Sequence, residues 1–183
     1  NKSHQQLNFS VHFGDIKVVD PHRELKTVVM QNRRHDNCVF NPVPNIRAAG
    51  KIEFTHNRNL IFPAGNEYHK FEILDVHVPT LNIDRIDWFD PYYHATLFAE
   101  RTAKNYLYDE DQNGAFIIRN SDDTDVATTC DYVFTHFTLK SPQLPGGDVY
   151  LNGIWTQNRF IPEYRMTYNR SSQAYEATML LKQ

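Results

Sequence analysis

The chain has 183 residues, a formal net charge of −3 at pH 7 and a charged fraction of 22%. That balance excludes a basic nucleic-acid protein, a chain built for a strongly acidic membrane surface, and a highly charged disordered chain. No apolar run approaches the roughly 20 residues of a membrane helix, so direct insertion by a helix is excluded as well. The ten Tyr, twelve Phe and two Trp favour pleated, half-buried surfaces.

The chain opens Asn1-Lys2-Ser3-His4, with no signal-peptide pattern, and reads as a processed product or a cut fragment. From residue 5 to 13, Leu7, Phe9, Val11 and Phe13 alternate with Asn8, Ser10 and His12, which predicts a half-buried strand. Gly14-Asp15 reads as a turn, and Asp20-Pro21-His22-Arg23 as a bend before a second apolar run, Leu25 to Asn32. The stretch from His35 to Arg47 holds Pro42 and Pro44 and is expected to be extended and irregular. Gly50 to Thr55 alternates, with Ile52 and Phe54 inward. Asn57-Arg58-Asn59 is a turn, and Leu60-Ile61-Phe62 a brief apolar run ended by Pro63-Ala64-Gly65-Asn66. Tyr68 to Val78 is the longest strand candidate of the first half. Ile83 to Phe89 and His94 to Ala99 read as strands, with a short helix near 99–106 as the alternative. Asn113-Gly114 is the strongest hairpin dipeptide and precedes Phe116-Ile117-Ile118.

The polar, acidic run from Asn120 to Asp125 reads as a linker or a long surface loop. Beyond it, Cys130 to Lys140 is a strong strand with apolar residues on both faces, Val133, Phe137 and Leu139 against Tyr132 and Phe134. Tyr164, Met166 and Tyr168 alternate with Arg165 and Thr167, a polar turn spans Asn169 to Gln173, and Tyr175, Ala177, Met179 and Leu181 alternate with Glu176, Thr178 and Lys182. Strand, polar turn, strand is the grammar of an antiparallel sandwich. The expected fold is therefore all-β, tandem antiparallel immunoglobulin-like β-sandwiches over 1–120 and 126–183, with under about a tenth of residues helical.

Candidate chemistry is sparse. The nine histidines never lie two or four residues apart, so no zinc site is expected. Asp109-Glu110-Asp111-Gln112-Asn113-Gly114 begins like a calcium loop, but its twelfth position is Asn120 where a bidentate Glu is needed, and an Asp-rich hairpin turn explains it more simply. There is no G-x-S-x-G run and no Cys beside a suitable His, so the chain is read as non-enzymatic, with no catalytic residue, cofactor site or metal site. Cys38 and Cys130 are far apart and fit free, buried thiols better than a pair. Trp155, Phe160, Tyr164 and Tyr168 either fill a core or, as a flat exposed row of Trp155, Tyr164 and Tyr168, stack on sugar rings or face a partner.

Two resemblances add to this reading. Val149 to Asn158, Met166-Thr167-Tyr168-Asn169 and Tyr175-Glu176-Ala177-Thr178 resemble early-set immunoglobulin-like modules of the glycogen-binding kind. In those modules the motif ends in a Trp that stacks on glucose; here that position is Asn158, and Trp155 falls three residues earlier. Over nearly the whole chain, Gln5 to Val11, Val29 to Asn32, Ile61 to Glu67, Tyr108 to Gly114, Asp131 to Leu139 and the C-terminal stretch, in that order and spacing, resemble the type IX secretion system plug protein family. That resemblance implies a periplasmic protein associated with the outer membrane, whose partner is a large outer-membrane β-barrel translocon that it occludes. It also implies a fragment that stops before the family's last strands. On that expectation the strand Tyr175 to Leu181 is left as an open edge or beside a gap in its sheet, and the chain either self-associates through its C-terminal strand or is highly mobile there. The alternative function is a carbohydrate-binding module of a surface glycan-handling system.

Overall fold

The structure is a computed structural model that describes residues 4–31, 34–63, 68–101, 112–121 and 125–183. The chain is all-β, with 38% of the described residues in strands and 12% helical, the latter all in single turns. The helical share is slightly above the expected tenth, because short caps and 3-10 turns link the strands. The chain divides into two compact units, Asn1–Asn66 and Glu67–Gln183.

The first unit holds β1 (His4–Gln6), β2 (Phe9–His12), α1 (Pro21–Glu24), β3 (Val28–Met30), β4 (Cys38–Phe40), β5 (Ile46–Ala48), β6 (Lys51–Phe54) and β7 (Ile61–Pro63). They form antiparallel groups β2-β6-β5, β1-β7 and β3-β4. The alternation around β2 and β6 sets the core. Phe13, Ile52, Phe54, Leu60 and Phe62 are buried, and Phe9, Val11, Val29 and Val39 pack on them. The bend at Pro21 is one helical turn. The Asp20 carboxylate accepts the His22 N–H at 3.1 Å, and Glu24 reaches back to the Asp20 N–H at 2.7 Å, satisfying N–H groups at the start of the turn. The expected irregular stretch from His35 to Arg47 contains β4 and the start of β5. The two prolines sit between the strands, where they interrupt no ladder.

The second unit is built on one sheet ordered β11-β12-β13-β10-β9-β8. Its strands are β8 (Ile83–Phe89), β9 (Tyr92–Leu97), β10 (Tyr132–Leu139), β11 (Val149–Tyr150), β12 (Arg165–Asn169) and β13 (Ala174–Lys182); α2 (Val126–Thr129) leads into β10. All neighbours are antiparallel except β9 and β10, which run parallel, with Val133 opposite Tyr93 and Thr135 opposite Ala95. This seam corrects the expected domain boundary. The acidic run at 120–125 is a connection inside the second unit, because β8 and β9 before it share a sheet with β10 to β13 after it. The residues 122–124 themselves lie outside the described residues.

Three further expectations change. Tyr68 to Val78 is not a strand. Its backbone bonds to residues 80–82 and to Ser121 instead of to a sheet neighbour, and Ile73 and Val76 are buried against Ile83, Ala95 and Val133. Its apolar alternation records contact with that core and not a pleat. The Asn113-Gly114 turn forms, with φ of 51° and 72°, but Phe116-Ile117-Ile118 builds no strand after it. The C-terminal strand β13 is bonded to all of β10 on one side, but to β12 on the other only over Ala174–Glu176, so the expected open edge is kept in part, over residues 177–182.

Candidate interaction surface

Strand pairing decides which side chains share a face. In the second unit, Tyr93, Ala95, Val133 and Thr135 point to the core, so Phe89, Tyr92, His94, Phe134, His136, Thr178 and Leu180 occupy the opposite face. There the aromatic and imidazole rings form a network across three strands, β8, β9 and β10, with Thr178 and Leu180 of β13 at its side. Phe89 meets His94 edge-on at 5.1 Å, Tyr92 meets Phe134 edge-on at 5.1 Å, and His94 lies tilted on Phe134 and stacked on His136, each at 5.1 Å. The rim is wet and apolar together: Phe89 is 61% exposed, Tyr132 55% and Leu180 45%. Lys182 reaches over the Tyr132 ring at 5.8 Å and donates to the Ala127 carbonyl at 3.0 Å.

A hydrogen-bond chain runs through this face. His94 Nδ1 and His136 Nε2 are 2.9 Å apart, and His136 Nδ1 is 2.9 Å from Thr178 Oγ1. Either ring can donate in the first link and either the ring or the Thr178 hydroxyl in the second, and the chain stays satisfied while His136 is neutral. Partial burial, then His94, then the Arg85 guanidinium on the same face hold the His136 imidazole below its ordinary value of 6.5. The unfolded chain therefore takes up this proton first as the pH falls. Stability is full above pH 6.5 and declines as the pH drops through the folded value. Denaturant midpoints measured from pH 7.5 down to pH 5 are expected to fall for the wild type and to fall less for His136→Gln; coincident slopes would refute the assignment.

The aromatic row expected from the sequence sits elsewhere and is not flat. Trp155 meets Tyr164 edge-on at 6.3 Å with 78° between planes, and Phe116 at 6.4 Å; Tyr168 packs edge-on against the buried Tyr175 at 5.0 Å. All three are half-buried, and the Trp155 Nε1 is buried without a hydrogen-bond partner. The indole lies directly on Gly153. Around it, Asn152 donates to Tyr68 Oη at 3.2 Å and to Asn158 Oδ1 at 3.0 Å, Thr156 donates to Asn152 Oδ1, and the Ile154 N–H bonds the Gly114 carbonyl at 2.8 Å. Gln157 and Asn158 take the left-handed conformation that closes this loop. Asn158 is thus a structural polar residue here, and the cluster is a packed corner with no flat stacking surface.

In the first unit a shallow cleft of about 260 Å³ is lined by Gln5, Leu7, Val29, Gln31 and Phe62, among others, with no ionisable side chain. Among the described residues no group of three or more His, Cys, Asp or Glu is placed to hold a metal ion. Residues 109–111 of the calcium-like run lie outside them. Cys38 and Cys130 are free thiols, Cys130 buried and Cys38 half-buried with its Sγ directed at the Arg34 carbonyl. No described helix is long and apolar enough to cross a membrane.

The sequence did not single out Phe89, Tyr92, His94, Phe134 and His136 as a site. No two histidines lie two or four residues apart in the sequence, and only the parallel seam brings His94 beside His136. The usable signal was the phase of Tyr132 and Phe134, opposite to that of Val133.

The fold and this face define the chain as an all-β, sandwich-like protein with an aromatic, histidine-bearing sheet surface. Among solved structures it is similar to a hypothetical protein from Parabacteroides merdae, seen in a crystal structure, with 40% identity and a TM-score of 0.82. The match covers 100% of this chain and 47% of that one, so the chain spans about half the length of that protein. No family model matches the chain, and no curated protein does.

Proposed function

We propose that the chain is part of a non-catalytic, periplasmic protein that docks on the β-barrel translocon of the type IX secretion system at the outer membrane and occludes it. The observation that carries this reading is the broad face bearing Phe89, Tyr92, Tyr132 and Leu180, exposed together on one side of the six-stranded sheet. Protein interfaces are enriched in such aromatics, and a wide open face suits a macromolecular partner better than a small ligand, which needs a concave site. The ordered runs shared with the plug family supply the choice of partner.

The experiment is recovery of the full-length protein from outer-membrane extracts, with bound proteins identified by mass spectrometry. A large β-barrel is expected with the wild type, and recovery about tenfold lower or less with Phe89→Ser/Tyr132→Ser, whose exposed positions spare the core. Absence of any barrel with the wild type removes the proposal. Equal recovery with the variant removes the aromatic face from it. Glucan binding at millimolar concentration or tighter, lost in Trp155→Ala, would replace it with a carbohydrate-binding module.

A further inference from the structure

The longest strand with one whole side unpaired among the described residues is β8, Ile83–Phe89; β13 is open on its β12 side only over residues 177–182, and the opposite edge of the same sheet, β11, has only two residues. Along β8 every second residue turns its N–H and C=O away from β9, and no described backbone group beyond the Thr80 contact of Ile83 bonds to it from outside the sheet. Apart from the buried Ile83 and the half-buried Ile86 and Asp87, its side chains are open to solvent, Trp88 at 54% and Phe89 at 61%. Natural edges are normally blunted by charges or bulges, and β8 carries both, Asp84, Arg85 and Asp87 with an irregularity between Ile83 and Arg85.

Those charges do not block every partner. Arg85 and Asp87 share the outer face of the sheet, two residues apart, on either side of Ile86. A second β8 laid antiparallel about a two-fold axis at Ile86 sets each Arg85 opposite the Asp87 of the other copy, twice over. The neighbouring symmetric registers fail. Centring on Arg85 opposes two guanidinium groups, and centring on Asp87 opposes two carboxylates. The strand is self-complementary in one register and repulsive in the adjacent ones.

We infer that β8 is a self-association edge, and that its partner is the β8 of a second copy of this chain, paired antiparallel about Ile86. The pairing continues one sheet across both copies and puts both aromatic faces on the same side. The contact is small, so the dimer is weak, with a dissociation constant on the order of 0.1 mM, and it weakens with added salt. The inference does not depend on the translocon proposal.

Sedimentation equilibrium on the full chain, from about 0.02 to about 1 mM, tests it. The wild type is expected to form a dimer. Arg85→Asp alone places two carboxylates opposite two carboxylates, Asp87→Arg alone places guanidinium against guanidinium, and each is expected to associate at least about tenfold more weakly. An equimolar mixture of the two variants is expected to recover the dimer, because every cross pair is then opposite in charge. The double variant R85D/D87R is expected to dimerise as the wild type does. Circular dichroism on each variant checks that the sheet is retained. A wild type monomeric throughout the range, single variants that dimerise like the wild type, or a mixture that stays monomeric would each overturn the inference.

Discussion

Gly153→Ala is expected to destabilise the second unit by about 3 kcal/mol or more. The backbone there is extended, with φ of −157°, so the methyl group meets no conformational penalty of its own. The obstruction is the Trp155 ring, whose atoms lie at 2.0, 2.3 and 2.5 Å from where the Cβ would be. The indole cannot swing aside cheaply. Phe116 and Tyr164 flank it, and the loop beneath is fixed by Asn152, Thr156 and Asn158. Tryptophan fluorescence and a denaturant titration read the effect, with a red-shifted emission and a lower midpoint expected. An unfolding free energy within about 0.5 kcal/mol of the wild type would show that the indole is not seated on the glycine.

Phe54→Ala is expected to remove about 3–5 kcal/mol from the first unit. Phe54 is 1% exposed and stacks on Phe9 at 4.5 Å with 17° between planes, and Leu60 and Ile52 complete its surroundings. The unit's strands are three or four residues long, so the sheet has little else to hold it once this contact is gone. Loss of this size is a large part of the stability of an ordinary domain. Hydrogen exchange should show protection collapsing across β2, β5 and β6 together. Phe40→Ala is the control. Its side chain is 67% exposed, and its substitution should stay within about 0.5 kcal/mol. Equal effects at the two positions would contradict the core described above.

Period-two patterns with a wet and a dry face were read correctly where a strand supplied its own alternation. Ile52 and Phe54 point inward as expected, Met166 is buried between exposed Arg165 and Thr167, and Leu180 lies on the wet face of β13. The same pattern misled at Tyr68 to Val78. Apolar residues that plug a core from a loop alternate much as strand residues do, and periodicity does not reveal whether a hydrogen-bonding neighbour exists. The division of the chain was illegible for a related reason. A polar acidic run looks the same whether it joins two domains or crosses over within one, and only the non-local pairing of β9 with β10 distinguishes them. The aromatic face followed that seam out of reach, whereas the Trp155 corner, built from residues close in sequence, drew attention first.

The parallel seam between β9 and β10 also governs how the second unit comes together. The β8–β9 hairpin and the β12–β13 hairpin draw on contacts between near neighbours in the chain. Strand β10 can join β9 only after everything from Phe98 to Asp131 has been looped back, and that closure loses chain entropy before any ladder bond repays it. Strand β10 meets β13 only across a loop as long, with Tyr132 opposite Lys182, so the two hairpins form locally and both long-range pairings of β10 are expected to lag them. Until they form, Val133 and Thr135 on one side and Ala95 on the other are uncovered, and the unit is most exposed to misassociation in that interval.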